Sequence, residues 1–230
     1  MHKINKYFIS PKHCLRFISR TQKYVVASLI LFLSYGIFAG LVLAPKDYQQ
    51  GNVYRIMYIH VPLAIGSLGV YVAMSLAALI YLIWKIKIAD YVAKISAPIG
   101  AVFTALTLIT GSIWGKPTWG TWWIWDARLT SELILLFIYC GVIAIRSSMP
   151  EPRLAAHSSG IVTLMGLINI PIVHYSVNWW NTLHQGASIL KLGAPSIAPS
   201  MLYPLLAMMM ALFFYYVLYV MIVLKQKLMR

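Results

Sequence analysis

Trp114, Trp119, Trp122, Trp123 and Trp125 fall within twelve residues of one another, in a stretch that ends at Asp126. An indole exposes a large apolar area, and a cluster of them outside a core marks a surface that something covers. A large, planar and partly polar ligand suits such a cluster, and a porphyrin fits that description. His60 precedes the run and His184 follows it. Imidazoles are common axial ligands of haem iron, and two on separate segments can approach opposite faces of one macrocycle. Porphyrin propionates need cations, and Arg55 and Arg128 flank the same region, with Lys116 inside it. Guanidinium groups hold carboxylates bidentately, which makes the arginines the better candidates.

Each residue also has a plainer use. Tryptophans form belts at membrane interfaces, but belts decorate both faces, whereas only Trp84 falls on the opposite side here. Arginines snorkel to interfaces. Asp126 suits either a helix N-terminus or the ligand site itself, and the sequence leaves both open. Glu132, the acidic residue inside a span, has Arg128 four residues earlier as its expected partner. His174 is expected to terminate a helix rather than to bind a ligand. Gly115 and Gly120 would let rings approach a flat ligand closely.

The elements that position these residues follow from composition. Hydrophobic residues make up 60% of the chain and charged residues 10%, far from the roughly 25% charged residues of a soluble domain. Six apolar stretches, about 24–44, 61–84, 92–113, 129–145, 158–173 and 201–224, approach the roughly 20 residues that a spanning helix needs. Backbone groups in lipid are satisfied inside helices, so the fold class is an all-α integral membrane protein of six transmembrane helices. It forms a single membrane domain over 1–230, with a Trp-rich ligand-binding loop at 114–128 between spans 3 and 4.

The formal charge of +14 is distributed unevenly. Fourteen of the nineteen Lys and Arg residues fall in the two tails and in the links after spans 2 and 4, including Lys3, Lys6, Lys85, Lys87, Lys227 and Arg230. Lys46, Arg55, Lys116, Arg128 and Lys191 fall on the other side. The positive-inside rule therefore places both termini in the cytoplasm and the Trp-rich loop outside. The charge is a topology signal that also favours anionic membrane lipid, and it argues against a nucleic-acid partner.

Other motifs exclude functions. Gly111-Ser-Ile-Trp-Gly115-Lys116-Pro117 has too few residues between its glycines for a phosphate-binding loop, and no hydroxyl to hold magnesium. ATP dependence would come from a partner. The first apolar stretch is longer than a signal-peptide core and is read as a retained helix. Cys14 and Cys140 lie inside or within a span, away from a disulfide-forming compartment. Gly36-x-x-x-Gly40 permits close helix contact, and Thr104, Thr107 and Thr110 give span 3 a polar face, read as packing. His2, His13 and His157 lie inside. No histidine lies mid-span, which counts against an electron-transfer cytochrome b. Few ionisable groups lie mid-membrane, which counts against a permease. The outer histidines lack zinc-like spacing.

The run ending Trp122-Trp123-Ile124-Trp125-Asp126, followed by Ala-Arg128-Leu-Thr-Ser-Glu132, resembles the signature of the haem-handling membrane proteins of cytochrome c biogenesis. Six spans and one outer histidine on each side of the signature narrow this to a resemblance to the haem exporter protein C (CcmC) family. The resemblance covers essentially the whole chain. It implies haem b bound transiently at the periplasmic face of the bacterial inner membrane, against the tryptophans, with His60 and His184 as metal ligands. It further implies delivery to a periplasmic haem chaperone (CcmE), which captures haem covalently through its own histidine. A complex with an ABC-type ATPase, its membrane subunit and a small single-span protein (CcmA, CcmB, CcmD) is also implied. The resemblance points to a haem-transfer protein rather than an enzyme, one that can assist attachment of haem to the chaperone.

Overall fold

The structure is a computed structural model that describes residues 10–184, 186 and 196–229. His2, Lys3, Lys6, Lys191 and Arg230 lie outside the described residues. Six helical segments are long and apolar enough to cross a membrane, and no strand occurs among the described residues.

Helix α1 (Pro11–Ile37) begins with proline at its first position, where the missing amide costs nothing. It continues as a π-helical turn, Phe38–Leu43. A 3-10 turn, Val53–Ile56, leads into α2 (Met57–Trp84). Then follow α3 (Lys87–Trp119), α4 (Ala127–Ser148), α5 (Pro152–Gly166), α6 (Asn169–Trp179) and α7 (Pro199–Met229). Helices α5 and α6 together make the fifth span, Pro152–Trp179. The break between them has a local cause. Pro171 has no amide to offer the Leu167 carbonyl, and that carbonyl instead accepts from the Ile170 amide three residues on, at 3.1 Å.

The core lies where α2, α3, α4 and α5 meet. Tyr71 and Tyr139 are fully buried and packed edge to face, with ring centroids 5.1 Å apart. Each phenol donates to a backbone carbonyl, Tyr71 to Thr163 and Tyr139 to Ser67, both at 2.8 Å. In lipid an unsatisfied hydroxyl costs several kcal/mol, so these bonds fix the spans' mutual heights. Missing side chains on neighbouring helices make room for both rings. A Cβ on Gly100 would lie 2.2 Å from the Tyr139 ring, and one on Gly166 would lie 2.2 Å from the Tyr71 hydroxyl. The Gly36 and Gly40 pair works the same way, seating Met208 of α7 and the ring of Tyr58 of α2.

One difference from the sequence reading bears on the site. Residues 114–119, read as loop, are the last turns of α3. Gly115, Lys116 and Pro117 look like a stop, but a proline near a helix end removes only one hydrogen bond. The true terminator is Gly120, whose φ of 78° is left-handed and whose amide closes on the Lys116 carbonyl. Trp114 and Trp119 are therefore fixed on a rigid helix, and the loop proper is 120–126.

Substituting Gly100 by Ala should destabilise the fold by about 1–3 kcal/mol through overpacking against Tyr139. Gly141→Ala, at a position with nothing within 4 Å of the new carbon, should leave stability nearly unchanged. Thermal unfolding of both variants in detergent checks the contrast.

Candidate functional site

His60 sits in the first turn of α2, with its ring laid against α3 where Gly111 has no side chain. A Cβ there would be 3.0 Å from the ring. Its Nδ1 is 3.1 Å from Thr110 Oγ1. The Thr110 hydroxyl has one proton, and that proton goes back to the Leu106 carbonyl at 2.7 Å and the Thr107 carbonyl at 3.2 Å. With that proton turned inward, Oγ1 accepts from His60 Nδ1–H, the tautomer in which Nε2 has the free lone pair. The ring also meets Trp114 edge to face, with centroids 5.7 Å apart. The Trp114 indole in turn donates to Gln50 Oε1 at 2.7 Å, tying the link between α1 and α2 to the end of α3.

His184 comes from the other end of the chain and reaches the same helix end. Its Nδ1 contacts Asp126 Oδ2 at 2.7 Å, and its ring lies 4.7 Å from Trp119, edge to face. Thr182 donates its hydroxyl to the same carboxylate oxygen and accepts from the His184 amide at 3.1 Å. Asp126 Oδ1 meanwhile accepts from the Leu129 amide at 2.8 Å, the N-cap bond of α4. One carboxylate thus caps α4 and holds the His184 ring. Since Nδ1 faces a carboxylate, it carries the proton, and Nε2 again has the lone pair. Metal-binding histidines commonly have this pattern, with one nitrogen bonded to a fixed acceptor and the other left for the metal.

Electrostatics agree with a neutral ring. Burial disfavours the His184 cation and keeps its pKa below the usual 6.5, although the bond and charge of Asp126 work the other way and Arg128 nearby adds to the lowering. Burial would raise the pKa of Asp126. Bonds from Thr182, the Leu129 amide and His184 outweigh it and hold the carboxyl below its usual 3.8. The contact is therefore a charge-assisted hydrogen bond from a neutral imidazole to a carboxylate rather than a full ion pair.

The tryptophans do not form one flat shelf. Trp123 and Trp125 pack edge to face at 75°, an arrangement that aromatic quadrupoles favour over parallel stacking. Trp114 and Trp119 are half-buried and each presses on one histidine. Five residues of helix separate them, roughly 7–8 Å of rise. Trp122 and Trp125 are exposed, as are Trp179 and Trp180 at the end of α6. Gly115 makes room for the Trp119 ring, not for an external ligand, since a Cβ there would lie 3.0 Å from that ring.

The cations divide by availability. Arg55 donates to the carbonyls of Leu41 and Ala44, at 2.7 and 2.8 Å, and so closes the end of the π-helical turn. Lys116 donates to the Gly120 carbonyl at 3.1 Å and lies 5.9 Å from the Trp122 ring centroid. Arg128, in the first turn of α4, makes no hydrogen bond or ion pair among the described residues. The expected partner of Glu132, Arg128, makes no close ion pair with it, although the two charges still attract each other. Glu132 is bonded to Ser67 Oγ of α2 at 2.8 Å instead, because its buried carboxyl finds a hydroxyl across the helix interface at hand. His174, expected to end a helix, lies inside α6 instead, because the helix runs on to Trp179, and its ring packs on Tyr175. No three His, Cys, Asp or Glu side chains converge on a point among the described residues.

The fold thus brings His60, His184, Trp114, Trp119, Asp126 and Arg128 to one end of the bundle. Sequence reasoning missed Thr110, Thr182 and Gln50. Thr110 belongs to the threonine face of α3, whose spacing suits packing equally well. Thr182 stands two residues before His184, a spacing that suits a hydroxyl bonding back to the backbone. Gln50 carries no comparable signal.

A family model described as "CcmC: Heme exporter protein C" matches residues 4–230. A "Heme exporter protein C" of Haemophilus influenzae is 50% identical over 199 residues, covering 86% of this chain and 81% of the relative. One from Escherichia coli K12 is 55% identical over 180 residues, covering 78% and 72%. A "Putative cytochrome c biosynthesis ccmC-like mitochondrial protein" of Marchantia polymorpha is 48% identical over 178 residues, covering 77% and 75%.

The lowered His184 pKa fixes a pH dependence. Below 6.5 the unfolded segment binds more protons than the docked one, so docking of residues 181–184 is at full strength above pH 6.5 and weakens as pH falls below it. Asp126, with a pKa under 3.8, stays ionised through that window. Hydrogen exchange of this segment, corrected for intrinsic rates, should accelerate on acidification. Asp126→Asn should be unprotected at neutral pH already. Protection that is indifferent to pH and to that substitution would show that His184 docks without the carboxylate.

Proposed function

This chain belongs to the heme exporter protein C (CcmC) family, and from that premise we propose that it holds haem b transiently at the periplasmic face and delivers it to a periplasmic chaperone. One observation carries the reading. Two histidines from opposite ends of the chain have their Nδ1 protons committed to Thr110 and Asp126, and both rings lie against the last two turns of α3. Such rings are prepared to offer Nε2 to iron, and iron is what haem supplies. Trp114 and Trp119 fix the angle of each imidazole. The exposed indoles Trp122 and Trp125 provide apolar area for the macrocycle and for the chaperone that takes it. Arg128, which makes no hydrogen bond or close ion pair among the described residues, is the cation for a propionate. Arg55 is a second candidate that must share its existing carbonyl bonds.

In this reading His60 and His184 are exchangeable ligands, because cargo that is handed on cannot be locked in. The protein is a carrier in cytochrome c maturation and not a catalyst. Its two described chain ends lie on the cytoplasmic side of the bacterial inner membrane, and its acceptor is the haem chaperone CcmE. It works beside an ABC-type ATPase, the ATPase's membrane subunit and a small single-span protein (CcmA, CcmB, CcmD). The uneven spread of lysine and arginine along the chain supports that orientation.

Absorption spectra of protein purified from haem-replete cells test the reading. Wild type should show a low-spin band that turns high-spin or vanishes in both His60→Ala and His184→Ala. Retention of the low-spin band in either variant would remove that histidine from the ligand set. Thr110→Val should weaken haem retention by roughly 10–100-fold while leaving both histidines in place, the usual cost of losing an outer hydrogen bond to a metal ligand. Arg128→Ala should weaken it by about tenfold or more without changing the spin state, since hydrogen bonds to charged groups contribute about 1.5–3 kcal/mol.

A further inference from the structure

At the opposite end of the bundle, where α1 begins and α7 ends, lies a cleft of about 530 Å³. Pro11, Trp84, Lys85, Lys87, Tyr91 and Lys227 are among the residues that line it. Two features set it apart from a merely basic surface. The first is convergence. The link between α2 and α3 is two residues long, and Lys85 takes a left-handed φ of 56°, rare for a side chain other than glycine. That turn brings Lys85 and Lys87 to the same rim, and Lys227 reaches it from α7 with its ammonium 5.8 Å from the Tyr91 ring centroid. The neighbouring acid, Asp90, is paired with Arg146 and does not offset these charges.

The second feature is what lies along the wall leading to the cleft. Leu76, Leu79, Ile80 and Ile83 of α2 are all exposed. Their spacing of three, four and seven residues puts them on one face of the helix. The stripe runs down α2 to Trp84, itself exposed. A charged pocket at the head of an exposed apolar stripe, with a tryptophan at the junction, is complementary to an amphiphile. A soluble partner would need the charges and would have no use for the stripe.

We infer that this cleft is a binding site for the phosphodiester headgroup of an anionic phospholipid, whose acyl chains lie along the exposed face of α2. The three lysines neutralise the phosphate, and Trp84 and Tyr91 occupy the level of the glycerol backbone, where amphipathic rings settle. Lipid bound here would tie α2, α3 and α7 together on the face away from the candidate haem site. The inference does not depend on what the other end of the bundle binds.

Trp84 is the one tryptophan at this end, so its fluorescence reports occupancy. The protein is placed in phosphatidylcholine nanodiscs doped with dibrominated phosphatidylglycerol or, at equal mole fraction, dibrominated phosphatidylcholine. The Trp84 signal is the part that Trp84→Phe removes in each background. The anionic quencher should be favoured by about fivefold, the enrichment one basic side chain near the membrane surface brings. The preference should disappear in Lys85→Gln/Lys87→Gln/Lys227→Gln. It should survive in Arg16→Gln/Arg20→Gln/Lys23→Gln, which loses the same charge outside the cleft. Equal quenching by both lipids in wild type overturns the inference and leaves the cleft to a protein partner. Loss of preference in the control variant overturns it in favour of a diffuse basic face. Competition by soluble glycerophosphate overturns it in favour of a small phosphate ligand.

Discussion

Asp126 joins parts of the chain that are far apart in sequence. One of its oxygens accepts the amide that starts α4; the other accepts from Thr182 and His184, more than fifty residues later. A carboxylate close to the membrane surface is costly unless its lone pairs are used, and here every bond that uses them also orients something. The N-cap bond sets where α4 begins and so where Arg128 stands, one residue beyond Ala127. The Oδ2 bonds bring Thr182 and His184 over the end of α3. Without that anchor His184 would sit on a loop with nothing to hold its ring, and the end of α3 would have only His60 beside it.

The rigid half of the site rests on glycine and threonine more than on the tryptophans that draw the eye. Gly111 lets an imidazole approach α3 closely, Gly115 gives Trp119 its place, and Gly120 ends the helix. Thr110 turns its proton inward to the Leu106 carbonyl and so presents only an acceptor to His60. A span has no water to satisfy or reorient such groups, and the direction of each bond is accordingly fixed by the proton count of the groups involved.

Much of this was legible beforehand, for reasons that can be named. Six spans follow from runs of apolar residues, which lipid enforces along the whole chain. His60 and His184 stood out because imidazoles on either side of an indole cluster are rare enough to notice. The extent of α3 was not legible, because Gly115 and Pro117 look like breakers while helix ends depend on backbone angles that sequence specifies weakly. The expected Arg128–Glu132 contact is absent for a different reason, although the two charges still attract each other. Proximity along one helix proposes a partner, but Ser67 on the neighbouring helix was better placed, and only tertiary packing reveals it. Tryptophan ring planes were likewise invisible, since edge-to-face contacts are decided by neighbours and not by spacing.

The partners of the two Nδ1 atoms are unlike each other: a neutral hydroxyl for His60, a carboxylate for His184. A carboxylate draws the Nδ1 proton toward itself and makes the remaining nitrogen a stronger electron donor, whereas a hydroxyl does so far less. A metal bound by both rings would therefore be held by a strong arm and a weak arm. Such asymmetry gives unloading an order. The bond on the α2 side would yield first, while the ring anchored through Asp126 would keep hold until another ligand arrived.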